Sequence, residues 1–495
     1  MATSIDRARS DVQRALENAV SWADRDEAER FQAFEVELWH RLLALGRALV
    51  SLFFARQVAR SRPTRYEHEG HEHVLTREVR GSEIGTRCGK VVFERPVGRR
   101  LGFWRRAKAD LPVDRELGLC GGFSLGVVAA VARLCAQMAF ASARSTFREF
   151  SEWAPSSRAT LRMIDTIGGQ ARPFLEQASV PDDDGEVLVV LVDARGAPMI
   201  SSAEYSRRRV KRAVAAANQR AERRRRRRLY PRPRRTKGKK SKNAKSAFVG
   251  VIYTLRRTAD GFEGPVNKRL CATFESHRAL FEWLKREADK RGYGRKRCLF
   301  LADGSDHIWD LQQEFFPDAE ACVDWYHIVE KLWLAGGCLH REGSDALREW
   351  IHAHKKLLRR GKISQLLASL SAAYAAIPKT GPGTKTKRKQ LLDVMKHIGK
   401  NQHRMRYDKL RREDLPIGSG AVEGAVRNLV GMRLDGPGMR WGRDRSEKVL
   451  HLRCILLNGQ WEEFVAYLSR RTLTLAAQPV VARSYDAVPQ EDLAA

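Results

Sequence analysis

The sequence predicts a mixed α/β protein: a helical N-terminal region, then an α/β core that an all-α insertion interrupts. Three observations predict it. Residues 187–192, VLVVLV, form a continuous apolar run rich in β-branched side chains, the mark of a strand buried on both faces. Between about 185 and 330 such runs alternate with amphipathic helical patterns, which argues for an α/β sheet. From 331 to 405 the pattern is helical and basic, with no strand signal.

Taken in order, residues 1–110 predict a mostly helical region, because AERFQAFEVELWHRLLALGRALVSLFFARQ (28–57) repeats its apolar residues at spacings of three and four. Residues 65–105 are mixed and include the strand-like KVVFERPV. Residues 111–180 read as a helix-turn-helix region. One helix ends near Trp153, APSSR breaks it, and Ser156 or Ser157 caps a second helix running to about Ile167. A DNA-reading helix-turn-helix and an ordinary helical hairpin fit that pattern equally well. PDDDG (181–185) marks a linker.

The first part of the core spans 184–330. It holds strands at 187–192, 247–257 and 298–302, a helix in SHRALFEWLKREADKRG, and a short strand to Val323 followed by another helix. The helical insertion is 331–405. The last part of the core, 406–470, has a glycine turn at Gly418 and Gly420, then a helix over Ala421–Met432 with Glu423 in its first turn. Residues 471–495 read as a flexible tail.

Charge narrows the functional classes. The chain has 91 Lys and Arg against 59 Asp and Glu, a formal net charge of +32, which points to a polyanionic partner. Residues 207–245 alone carry 20 Lys or Arg against one acid, Glu222. This basic insertion (203–245) sits between two predicted strands and reads as a phosphate-binding arm. Its main contacts would come from Arg223, Arg224, Arg225, Arg226, Arg227, Arg228, Arg234, Arg235, Lys239 and Lys240. No secretory signal is evident. The longest uncharged apolar run, 117–132, is short of the ~20 residues a membrane helix needs, so a cytoplasmic, nucleoid-associated protein without membrane contact is expected. The eight cysteines include no CxxC pair and read as reduced core residues, excluding a zinc site or a disulfide frame.

Asp193 and Asp303 each end an apolar strand. Carboxylates from adjacent strands would meet at the carboxyl edge of the sheet and repel unless a proton or a cation lies between them. A divalent cation with oxygen ligands, such as Mg²⁺, would answer that repulsion and would suit phosphodiester chemistry. An Asp after a strand is also a common helix cap. A nucleotide-binding sheet is disfavoured, since neither GxGxxG nor GxxxxGK[ST] occurs. An aspartyl-phosphate enzyme would want a second Asp where Arg195 stands.

The residues VLVVLVDARG, LADGSDHIWDLQQEFFPDAEACVDWYHIVEKLW, LPIGSGAVEGAVRNLVGMRLDGPGMRWG and LRCILLNGQWEEF resemble those of the DDE transposases with an RNase H-like core. In detail they are similar to the ISKra group of insertion-sequence transposases, near the Mutator-like branch. The resemblance covers about 185–466 and extends more faintly to 115–170. It implies an RNase H-like fold in which Asp193, Asp303 and Glu423 are catalytic and hold two Mg²⁺ ions, with Mn²⁺ able to substitute. Asp324 and His327 match an Asp-x-x-His pattern that implies support of the active site. The implied function is Mg-dependent cleavage of element ends and strand transfer. The implied partners are double-stranded DNA, both terminal inverted repeats and target, and at least a second copy of the chain in a synaptic complex. A non-catalytic nucleic-acid-binding regulator and an RNase H-like nuclease without strand transfer are the alternatives.

Overall fold

The structure, a computed structural model, describes residues 4–25, 30–102, 109–201, 203–208, 210–211, 214, 244–436 and 439–471. The basic run from Arg223 to Lys240 lies outside the described residues. The chain is a mixed α/β protein with a helical N-terminal region and two sheets, and it divides into two compact units.

The first unit comprises residues 1–171 and 461–495. Helices α1 (Ser4–Ala23) and α2 (Phe31–Val58) form a hairpin, with Trp22 stacked on Phe34 at 4.7 Å. Strands β1 (Arg65–His68), β2 (His71–Thr86) and β3 (Gly89–Arg100) follow as an antiparallel sheet. The expected mostly helical region is therefore one-third sheet. β2 hid from the sequence because its polar residues dominate and Val79 is exposed, so no alternation of apolar and polar residues runs its length. Phe54 on α2 packs against Ile84, Val91, Phe93 and Val113 to make the core of this part.

α3 (Pro112–Glu116) and α4 (Leu125–Gln137) lead to α5 (Phe140–Ser151) and α6 (Ser157–Gln177). Between α5 and α6, Glu152 takes a left-handed conformation and Ser156 caps α6 by accepting from Ala159 N at 3.1 Å. Arg144 braces the turn, donating to Pro155 O and Ser157 Oγ. α6 runs ten residues past the expected Ile167, carrying Pro173 inside it. Among the described residues one helix, α2, is long and apolar enough to cross a membrane, which the longest uncharged run had not suggested. Arg41 and Arg47 interrupt the apolar run without ending the helix, and Arg56 stands in its last turn.

The second unit, residues 172–460, is built on a five-stranded sheet of order β6-β5-β4-β7-β8. β4 (Val187–Pro198) is central. It pairs antiparallel with β5 (Ala244–Thr258), which pairs antiparallel with β6 (Gly261–Thr273). On its other side β4 pairs parallel with β7 (Arg297–Ala302), and β7 pairs parallel with β8 (Glu320–Val323). Residues 187–192 are all buried, each contributing about 1.5–3 kcal/mol of apolar transfer. Helix α7 (His277–Lys290) lays Leu280 and Leu284 over Gly250 of β5, where an added Cβ would lie 3.0 Å from Leu284. β6 escaped sequence reading because it is an edge strand holding Gly264, Pro265 and Asn267, residues an interior strand would exclude.

The supposed linker at 181–185 is an anchor. Asp184 is buried and grips the fully buried Arg291 through two hydrogen bonds of 2.9 and 2.6 Å, and it also accepts from Thr254 Oγ1 at 2.6 Å. Burial works against its ionisation, but these donors outweigh it and hold the carboxyl down at about 2.

After β7 come α8 (Asp306–Phe315), then β8 and α9 (Trp325–Gly336). Three further helices follow: α10 (Asp345–Arg359), α11 (Ile363–Ala376) and α12 (Thr384–Asn401). The chain returns to the sheet through α13 (Tyr407–Arg412), where Tyr407 Oη donates to Val323 O at 2.9 Å. α14 (Gly420–Val426) runs into a π-helical turn, Arg427–Gly431, and α15 (Arg443–Leu457) closes the unit. α16 (Trp461–Ser469) belongs to the first unit.

Candidate active site

Strand register brings the acids together. Val192 pairs with Ala302 across β4 and β7, and Ala302 pairs with Val323 across β7 and β8. The next residue of each strand is therefore Asp193, Asp303 and Asp324. Neighbouring strands lie about 4.8 Å apart, so three aspartates form a row at the carboxyl edge of the parallel half of the sheet.

The three are not equivalent. Asp193 Oδ1 accepts from the N–H of Ala194 at 2.6 Å, and Asp303 Oδ1 accepts from Ser305 N at 3.1 Å. Asp324 is buried and spent on structure. Its carboxylate caps α9 by accepting from Tyr326 N at 3.2 Å and His327 N at 3.1 Å, and it takes Ser419 N at 2.8 Å. Ser419 in turn donates from Oγ to Glu423 Oε1 at 3.2 Å. A continuous line of hydrogen bonds thus ties the end of β8 to the first turn of α14, where Glu423 stands.

Asp193 and Glu423 line one cavity of about 660 Å³, together with Arg195, Arg427, Met432 and the glycines 420, 424 and 431. Gly431 lies close to Arg195: a Cβ there would stand 3.2 Å from its guanidinium. Arg195 is held by Asp435 at 3.1 Å. The π-turn directly after α14 widens the helix at this wall, a distortion that often marks functional sites. Burial pushes the Asp193 carboxyl above the usual range. The Ala194 N–H opposes that, and the negative charges of Asp303, Glu423 and Asp324 add to it. The site thus concentrates negative charge beside two arginines.

That donor set, carboxylate oxygens crowded at one edge, suits a hard divalent cation in type and charge. As placed, the acids do not close round one: among the described residues no group of three His, Cys, Asp or Glu side chains stands close enough to hold a metal ion.

Sequence reading missed His397. It comes from α12, inside the helical insertion, and its ring lies directly over Gly304, the residue after Asp303. Its Nε2 is buried without a hydrogen-bond partner among the described residues. Burial first, then Lys331 and His327, lower its pKa to about 4 against the opposing pull of Asp303 and Asp306. His327 is half-buried, with its ring 5.8 Å from that of His397. The only sequence signal was a histidine on the apolar side of α12, one residue before buried Ile398. Seven of the eight cysteines are buried, and Cys88 is half-buried. Trp309 and Trp441 are buried packing residues.

No family model matches the chain, and no curated protein matches it. Among solved structures, the Drosophila P element transposase strand transfer complex matches with a TM-score of 0.25 and 11% identity, over 70% of this chain and 81% of that chain. A likeness of that size carries no weight for fold or function.

Proposed function

We propose that the chain is a DNA transposase whose second unit is an RNase H-like catalytic core. The observation that carries the reading is the aspartate row. Asp193 and Asp303 stand just past the last parallel pair of β4 with β7, and Glu423 reaches the same edge from a helix that follows a long helical insertion. The strand order supports it as well: three antiparallel strands, then two parallel ones, with the first strand central.

In this reading Asp193, Asp303 and Glu423 would hold two Mg²⁺ ions, or Mn²⁺ in their place. When bound, the ions would activate the attacking oxygen and stabilise the leaving one. The protein's own groups do the rest. Arg195 and Arg427 meet phosphate oxygens at the cavity wall. Asp324 and Ser419 orient Glu423. The glycines leave room for a sugar-phosphate backbone. Cleavage is an in-line attack of water on the phosphorus at the element end: a P–O bond to water forms, the bond to the 3′ oxygen breaks, and that oxygen leaves as a hydroxyl. In strand transfer this 3′-OH attacks a target phosphodiester and displaces the target's own 3′ oxygen, again in line. The net charge of +32 supplies the affinity for DNA, and α5–α6 is the element proposed to read the terminal repeats.

The test is Asp303→Ala on a duplex carrying the element end. Mg-dependent cleavage should fall to background while duplex binding, read by fluorescence anisotropy, is retained. Full cleavage by the variant overturns the assignment. The open spacing of the carboxylates favours one second reading, a non-catalytic DNA-binding protein. It predicts salt-sensitive binding that neither Mg²⁺ nor a chelator changes, and no cleavage by the wild-type chain.

A further inference from the structure

Helix α2 has three faces, and the described residues cover two of them. On one, Phe34 stacks on Trp22 of α1 and the Arg41 guanidinium lies 4.8 Å over the same ring. On another, Phe54 stacks on Phe93 of β3 at 4.3 Å. Between them runs Leu38–Leu42–Leu45–Leu49–Leu52, five leucines at alternating spacings of four and three. Leu42 and Leu49 are 48% and 49% exposed, and the other three are half-buried.

A strict four-three alternation is the pattern of a coiled-coil seam, in which the leucines of one helix enter holes on another of the same kind. The same stripe continues at the same spacing to Glu35 at its N-terminal end and Arg56 at its C-terminal end. Both are exposed and have no partner among the described residues. A parallel pair would set Glu35 against Glu35 and Arg56 against Arg56. An antiparallel pair sets each glutamate at the end of the seam that holds the other copy's arginine, and a two-fold axis through the middle of α2 makes that contact twice.

We propose that the leucine stripe of α2 is a self-association surface, on which a second copy of this chain docks antiparallel. This does not depend on the transposase reading. A lipid surface would also accept exposed leucines, but nothing in a bilayer matches an acid at one end of the stripe and a base at the other.

The test uses the full chain, freed of nucleic acid by nuclease and high salt, on size exclusion with light scattering. The wild type should run at twice the chain mass. Leu42→Lys with Leu49→Lys should run as a monomer whose circular dichroism matches the wild type, because both side chains are already exposed. Arg56→Glu should weaken the dimer about tenfold, and adding Glu35→Arg should restore it, since the swap recreates opposite-charge ends. A monomeric wild type, or a dimer indifferent to the leucine changes, overturns the proposal. A charge swap without effect overturns the antiparallel pairing. Should the chain stay monomeric and sediment with neutral phosphatidylcholine vesicles in a Leu42- and Leu49-dependent way, the stripe is a membrane contact instead.

Discussion

Asp324 carries four jobs at once. It ends β8, caps α9, accepts Ser419 N, and through Ser419 holds the carboxylate of Glu423. The hydroxyl is the separable link. Ser419→Ala removes a single bond of 3.2 Å and leaves the backbone N–H to Asp324 intact, so the fold should hold. Freed from its donor, Glu423 gains rotamer freedom. If one hydrogen bond to a carboxylate, about 1.5–3 kcal/mol, orients it, cleavage should fall roughly 10- to 150-fold with duplex affinity unchanged. Single-turnover cleavage beside a melting curve checks this. A rate equal to wild type would show that Ser419 does not position the acid. Sequence could read Asp303 as a strand-end acid; Asp193 also follows an apolar run, but β4 continues past it to Pro198 along its pairing with β5. It left Asp324 undecided between a cap and a support of the active site; the hydrogen bonds show the cap and a tie to Ser419 N. It could not see that Ser419 joins two segments 95 residues apart, because nothing local in GSG encodes a partner so far away.

At the scale of elements, the parts that announced themselves are those whose pattern answers to burial alone. β4, β7 and α7 are buried on regular faces, so their apolar spacing gave them away. β6 and β2 are held by neighbours' hydrogen bonds more than by their own apolar faces, and both were illegible. The joint between the helical insertion and the sheet was equally silent, and it turns on one glycine. At Gly304 any Cβ would collide with the His397 ring and would also sit 3.0 Å from Asn401 Nδ2. Gly304→Ala must therefore displace the His397 ring, or α12 with it, an overpacking cost of about 1–3 kcal/mol. His397→Ala should remove most of that cost, giving a coupling of about 0.5–3 kcal/mol in a double-mutant cycle read by urea unfolding. Strict additivity of the two changes would mean that α12 does not bear on the aspartate row.

For the whole molecule, the proposed function requires a chain this basic to bring a polyanion to an acidic edge. β4 and β5 pair as far as Pro198 with Ala244, so residues 199–243 leave and return at that end of the sheet. Pro198 is five residues beyond Asp193, about 17 Å along a strand. The residues that flank the basic run thus join the sheet about 17 Å from Asp193. In the transposase reading a duplex held by that run would be brought toward the acids, whose charge would otherwise repel the backbone. Replacing 203–243 with a short Gly-Ser loop should leave the unit folded, since the last β4–β5 pair closes the hairpin. Nonspecific duplex binding should weaken, and the slope of log K against log salt should fall by about 0.9 for each phosphate contact removed. Cleavage should then drop through substrate affinity, with the rate at saturating duplex little changed. An unchanged salt slope would assign the DNA affinity to the remaining surface. A lost saturating rate with intact affinity would mean that the run shapes the active site and does not merely deliver DNA to it.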